Sequence, residues 1–394
     1  MRAIELFAGA GGLGLGVSQA GFSAVDVVEW DRWCCDTLRE NRRRKGSEMS
    51  KWPEPREGDI RHLSFNQFAD NVALVSGGPP CQPFSLGGRH KAFLDDRDMW
   101  PQAVRVVRET RPEAFIFENV KGLTRETFSA YFEYIVLQLS YPDLICRGGE
   151  AWSDHLSRLK QHSKANGQSS LRYRVRAPQV LNAANFGVPQ KRERVFFVGF
   201  RDDLEIQWSF PKATHSRDAL LWDQQHGDYW DRHEVPIASR SVPRRICSTE
   251  RPNERAWLTT RDALVGLTDP ELYPSVESVF SDHRFQAGAR SYPGHTGSAL
   301  DEPAKTLKAG VHGVPGGENM LRRLDGTVRY FTIREAARLQ TFPDKFQFHG
   351  AWSETMRQLG NAVPVKLARC VASSVFKKLQ GLDQRDVIGE KVSA

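Results

Sequence analysis

A chain of 394 residues, 40% hydrophobic and 26% charged, has enough apolar material for a sizeable core and for two domains, and that balance excludes a disordered chain. The net charge of +7 permits a polyanionic partner without requiring one. The longest apolar runs are strand-sized, which excludes a transmembrane helix, and Met1 leads straight into Ile4-Glu5-Leu6-Phe7 without the basic start and apolar block of a secretory signal; a cytoplasmic protein is expected.

Arg2 to Leu6 reads as a strand that ends in the loop Ala8-Gly9-Ala10-Gly11-Gly12, with a helix from Leu13 to Ala20. Ala24 to Glu29 is a second strand and Arg32 to Arg43 a helix with a basic end. Val72 to Ser76 is a buried strand before the loop Gly77-Gly78-Pro79-Pro80-Cys81; Pro101 to Glu109 is helical, and Ala114 to Phe117 is a strand ending at Glu118. Tyr141 to Ser170 is polar and predicts an irregular surface insertion, after which Arg194 to Phe200 is a strand. From Arg201 to Arg329 tryptophan, proline and glycine are scattered and periodicity is weak, so a separate loop-rich domain is expected. Helical patterning returns over Thr332 to Gln340 and Pro364 to Leu379, where Val365, Ala368, Val371, Ser374 and Val375 can share a face; the last dozen residues read as frayed. The alternation predicts an α/β fold with a mostly parallel sheet over residues 1–200 plus 330–394, and a smaller second domain over 201–329.

Cysteines stand at 34, 35, 81, 146, 247 and 370 with no C-x-x-C pair and no zinc-ligand spacing. That predicts no metal and no disulfide framework; one thiol can be catalytic, and the others are expected as buried small hydrophobes.

Two glycine loops follow predicted strands. In the first, Gly9-x-Gly11-Gly12 misses the G-x-G-x-x-G dinucleotide spacing, so an adenosine-bearing cofactor without a pyrophosphate suits it better, with Glu29 at the end of the next strand placed to hold ribose hydroxyls. A plain tight turn is the alternative at that loop. In the second, two glycines and two prolines set an unusual turn that puts Cys81 at the carboxyl end of the sheet, where open sheets keep their active sites; the segment from Leu86 to Asp98 could close as a lid.

Pro80-Cys81-Gln82-Pro83-Phe84-Ser85 resembles the signature loop of the DNA cytosine-5 methyltransferases. Further blocks similar to that family follow in order: Phe7 to Gly12, Glu118-Asn119-Val120, Gln190-Lys191-Arg192-Glu193-Arg194, Arg334 to Pro343, and Gly360-Asn361-Ala362-Val363-Pro364. The resemblance implies a Rossmann-like S-adenosylmethionine-dependent methyltransferase fold with a target-recognition domain. It implies Cys81 as the nucleophile that attacks C6 of the base, Glu118 as the group contacting N3 and the exocyclic amine, and Arg192 and Arg194 as residues that steady the base. It implies S-adenosylmethionine contacts from Phe7, Gly9, Gly12, Glu29, Trp30, Asp59, Ile60, Pro80 and Asn361, with Trp100 as a further candidate. Asp59 would face the adenine amine and Trp30 would pack on its ring, a core tryptophan being the alternative.

The partner implied is double-stranded DNA, whose cytosine must be flipped out of the stack. Residues 201–330 carry 17 Lys+Arg against 19 Asp+Glu, so the recognition region is not uniformly basic. Six arginines nevertheless crowd Arg240 to Arg261 against Glu250 and Glu254. The DNA contacts expected are Gln82 and Ser85 beside the nucleophile, Arg244 and Arg245 in that stretch, and Thr306 in a segment similar to the end of family recognition domains. The leading expectation is a stand-alone, monomeric prokaryotic-type enzyme, the modification half of a restriction–modification system, partnered with an endonuclease without required contact. A tRNA cytosine-5 methyltransferase is the alternative, disfavoured by the long recognition region. A non-catalytic DNA-binding relative is disfavoured by the presence of both Cys81 and Glu118.

Overall fold

The computed structural model describes residues 1–80, 98–165, 167, 170–242, 250–273, 280–309 and 319–392, with side chains to residue 381. Its centre is one sheet. Strand β1 (Arg2–Leu6) leads through helix α1 (Gly12–Gln19) to β2 (Ser23–Glu29), α2 (Arg32–Arg43) and the short β3 (Arg56–Glu57). The chain then crosses to the other side of β1 for β4 (Leu74–Gly77), α3 (Trp100–Thr110) and β5 (Ala114–Val120). After α4 (Ser129–Ser140) and α5 (Trp152–Lys164) come β6 (Tyr173–Val175), β7 (Gln179–Asn182) and β8 (Glu193–Arg201). The order is β3-β2-β1-β4-β5-β8-β6, with β7 also on β8; the first five strands run parallel, and β8 opposes β5, β6 and β7.

Both faces of the sheet are buried, so successive residues of a strand serve different cores. Phe115 and Phe117 of β5, with Val195 and Phe197 of β8, meet Val104, Val107, Ile135 and Leu139 of α3 and α4. Ala114 and Ile116, with Phe196, Val198 and Phe200, meet Leu13 and Val17 of α1 and Leu367, Val371 and Val375 of the last helix, α11 (Val365–Val392). The shared face predicted for that helix is formed, and the helix continues to Val392 where the sequence predicts an end near Leu379.

The segment read as an irregular insertion, Tyr141 to Ser170, carries a regular helix instead. Leu156 and Leu159 of α5, with Trp152 one turn earlier, form a narrow apolar stripe that is buried against α4 and the sheet. Polar residues on the remaining helix surface hide that stripe from a composition-based reading.

Among the described residues, 201–329 hold only short elements: β9 (His215–Ser216), α6 (Arg217–His226), α7 (Tyr229–Arg232), β10 (Arg255–Ala256), α8 (Thr260–Leu264), β11 (Ser298–Ala299), β12 (Met320–Arg322) and β13 (Val328–Tyr330), the last strand ending one residue beyond. α9 (Ile333–Leu339), started by a Thr332/Glu335 capping box, and α10 (Trp352–Asn361) return the chain to the sheet. No described helix is long and apolar enough to cross a membrane.

Candidate active site

The strand order reverses at β1, which lies between β2 and β4, so the loops leaving β1 and β4 open side by side at the carboxyl edge. The first is tightly shaped. Phe7 takes a left-handed φ of 53°, uncommon for a non-glycine residue, and Gly11 caps α1 at φ 86°. A side chain on Gly12 would run into Val363 O at 2.4 Å, which is how closely the Gly360–Pro364 loop approaches α1. Gly9 differs: a Cβ there would meet nothing within 4 Å, so its surface faces open space.

Glu29 is buried at the end of β2 and binds this loop together. Its Oε2 accepts from Gly9 N at 2.7 Å, and its Oε1 from Trp30 N and Asp31 N at 2.9 and 2.8 Å. Burial pushes its carboxyl above the usual range, opposed by those backbone donors. With two oxygens and about four acceptor positions, the carboxylate retains capacity toward a ligand. Trp30 beside it leaves its indole 70% exposed, which excludes the core-tryptophan alternative. Ile60 is buried and Asn361 is exposed at the end of α10. Asp59 already has a partner that the sequence did not suggest: the Arg61 guanidinium grips it (Nε–Oδ2 2.8 Å) and holds its pKa down at about 2. Trp100 lies wholly inside the core, edge-on to Phe117 and Phe197, with its Nε1 lacking a hydrogen-bond partner.

The second loop brings the expected acid to the same edge. β5 extends past Phe117 to Val120, placing Glu118 opposite Gly78; a Cβ on Gly78 would lie 3.2 Å from Glu118 Oε2, so the glycine leaves the carboxylate its space. Asn119 Nδ2 donates to Pro79 O at 2.9 Å, and Met99 N to Pro80 O at 3.2 Å, fixing the described residues that flank the Cys81 segment. Asn119 belongs to a motif visible in the sequence, but its anchoring role depends on a strand forty residues earlier. Cys81, Gln82, Ser85 and the lid expected over Leu86 to Asp98 lie outside the described residues, except for Asp98 itself; Arg244 and Arg245 lie outside them as well.

Glu118 is buried with Arg194 Nε 2.8 Å from Oε1. The two form a close ion pair, but Nε–H is not aligned on Oε1, and among the described residues Oε1 has no hydrogen bond of ordinary geometry. Desolvation raises the Glu118 pKa, and the guanidinium groups of Arg194 and Arg192 oppose the rise. The two arginines are not equivalent, which corrects the expectation that both face the base. Arg192 is fully buried; its terminal nitrogens donate to Leu307 O (2.9 Å) and Gly360 O (2.7 Å), so it joins three chain segments.

Neighbouring residues strengthen that joint. Gln190 donates to Leu339 O (3.2 Å) and accepts from Leu307 N (3.1 Å). Thr306, expected to touch DNA, donates its hydroxyl to Lys191 O at 2.6 Å. The segment 304–309 is thus stitched to the start of β8 by side chains that span more than a hundred residues of sequence.

These features agree with comparison to known proteins. The family described as C-5 cytosine-specific DNA methylase matches residues 1–142 and 160–377. Type II methyltransferase M.PspPI of Psychrobacter sp. (strain TA137) is 31% identical over 385 residues, covering 95% of this chain and 79% of that protein. Type II methyltransferase M.XorII of Xanthomonas oryzae pv. oryzae is 32% identical over 395 residues, covering 96% and 85%. The crystal structure of the Dnmt2 methyltransferase of S. pombe superposes with a TM-score of 0.55 at 19% identity, over 96% of this chain and 99% of that one, a likeness of fold. The chain therefore belongs to the C-5 cytosine-specific DNA methylase family and is a DNA cytosine-5 methyltransferase of the Type II restriction–modification kind.

Proposed function

We propose that the chain methylates carbon 5 of a flipped-out cytosine within a specific duplex DNA sequence, with Cys81 as covalent nucleophile, and that this protects host DNA from a cognate endonuclease. The observation that carries the reading is the buried Glu118–Arg194 pair at the edge where the Cys81 loop departs, with Oε1 2.8 Å from Arg194 Nε but not in an aligned hydrogen bond. A buried polar atom left unpaired is costly unless a ligand completes it.

The chemistry follows from what each residue can offer. C6 of a stacked cytosine is closed to a thiol, so the base must leave the helix. The Cys81 thiolate then bonds to C6, and electron density moves toward C5 and N3. Glu118, whose pKa burial raises, is placed to share a proton with N3 and to accept from the exocyclic amine. Arg194 holds Glu118 and is the arginine assigned to steady the base. S-adenosylmethionine, when bound, supplies a methyl group on a positively charged sulfur. Once C5 carries the methyl, its proton passes to water and the sulfur of Cys81 leaves C6, restoring the thiol.

Three features of the first loop fit that cofactor: the open face of Gly9, the spare acceptor capacity of Glu29, and the exposed indole of Trp30. Phe7, Gly12, Ile60, Pro80 and Asn361 complete the proposed contacts. We assign recognition to residues 201–329, Arg244 and Arg245 included, and the active unit to a monomer.

The test is duplex DNA carrying a fluorinated cytosine, incubated with the protein and cofactor. A covalent adduct is expected with the native chain and none with Cys81→Ser. Absence of adduct on every duplex sequence, or trapping on tRNA in its place, overturns the proposal.

A further inference from the structure

The family match stops at residue 142 and resumes at residue 160, so the connection between α4 and the middle of α5 lies outside it. It holds an unusual cysteine. Cys34 and Cys35 are buried as expected, whereas Cys146 is exposed, contrary to the expectation of an apolar filler. Cys146 lies beside Glu150 and the buried His155, and the potential ligand atoms of the three residues are all within 4.8 Å of one another.

We propose that Cys146, Glu150 and His155 form a zinc site that clips this connection to α5. Thiolate, imidazole and carboxylate together suit a borderline-soft divalent ion.

The histidine is already set in the required form. Its Nε2 lies 2.8 Å from Leu144 O, which can only accept, so Nε2 carries the proton and Nδ1 carries the lone pair. An imidazole whose second nitrogen donates to a backbone carbonyl is the usual arrangement around a ligated metal. At present the Nδ1 lone pair accepts from the Tyr134 hydroxyl at 2.9 Å, and the metal takes that position.

Glu150 is steadied from behind: Arg158 donates to both its oxygens at 2.9 and 2.8 Å, and Arg147 N to Oε2 at 2.7 Å. Oε1 receives a single donor among these and so has a free lone pair. The thiol donates toward backbone oxygen, Glu150 O at 3.6 Å and Arg147 O at 3.9 Å. Zinc binding releases the thiol proton.

A tetrahedral site with bonds of about 2.0–2.3 Å separates its ligands by roughly 3.3–3.7 Å, so the cluster has to contract by about 1 Å. Gly148 and Gly149, exposed between Cys146 and Glu150 with Gly149 at φ 75°, are the place where the chain can yield. Water completes the fourth position on the exposed side.

The test uses the full chain. Zinc titrated against a chelating dye is expected to bind one ion per chain. Cobalt in its place is expected to give a thiolate-to-cobalt charge-transfer band. Cys146→Ser, an exposed and mild change, is expected to abolish the band and weaken zinc by more than about 100-fold, beyond the 10–100-fold usual for an outer partner. His155→Asn is expected to do the same, with its circular dichroism spectrum confirming that it folds. Zinc is also expected to raise the melting temperature of the native chain and not that of Cys146→Ser. Failure of the native chain to bind zinc, or equal binding and an unchanged cobalt band in Cys146→Ser, overturns the proposal.

Discussion

Two buried ion pairs in this molecule have the same chemistry and opposite completeness. Arg329 and Glu335, which join β13 to α9, meet through two short contacts of 2.7 and 2.6 Å. Glu335 Oε2 also accepts from Thr332 N at 2.8 Å, and Arg329 Nε donates to Asp269 at 2.9 Å. Almost every donor and acceptor is used. At the carboxyl edge of the sheet, Glu118 and Arg194 lie equally close, yet Glu118 Oε1 has no hydrogen bond, and Nε of the adjacent Arg192 has none. A buried pair that is fully satisfied supports the fold, whereas one left incomplete is held ready for something that binds.

The contrast can be broken by experiment. Arg329→Met leaves Glu335 buried without its partner and is expected to lower stability by about 3–5 kcal/mol; denaturant midpoints measure this, and the methylation rate per folded molecule should stay near native. Glu118→Gln should do the reverse. Its rate of methyl transfer is expected to fall about 10²–10³-fold, the scale of one lost transition-state contact, with the melting temperature little changed. If that variant instead lost stability and kept its rate, the two pairs would be alike and the comparison would fail.

Arg192 stands between these cases. Arg192→Met strips two buried carbonyls, Leu307 O and Gly360 O, of their donor, at about 1–3 kcal/mol for each unsatisfied group. It is expected to lower stability and the rate together, and a change confined to the rate would return Arg192 to the base-facing role.

The smallest effect concerns Glu5, buried at the end of β1 against Ser76, whose pKa burial raises to about 8. A raised carboxyl stabilises the fold most below the unfolded value of 4.5, and that contribution is lost as pH rises through about 8. Glu5→Gln should flatten the stability profile across that window, so that the variant gains relative to the native chain as pH rises from below 4.5 toward about 8.

Most of the sheet was legible in the chain. Strands buried on both faces read as continuous apolar runs, as in Phe115-Ile116-Phe117 and Val195-Phe196-Phe197-Val198, and glycines mark the turns at their ends. The strand at Glu118 ran three residues longer than its apolar run, because pairing with β8 carries it on to Val120. The helix at 152–164 was missed because its buried stripe is two or three side chains wide within a polar segment.

The sequence by itself determined the order of the strands and glycine turns, and the residue types of a covalent cytosine chemistry, because continuous apolar runs and turn glycines are local properties. Tertiary structure alone decided that Arg192 binds two backbone carbonyls while Arg194 stays beside Glu118, that Thr306 faces Lys191, that Asp59 is taken by Arg61, and that Cys146 stands beside His155. The arginine and threonine contacts depend on which donor meets which acceptor across distant segments, and the Asp59 and Cys146 contacts on how the local backbone turns; spacing along the chain encodes neither geometry.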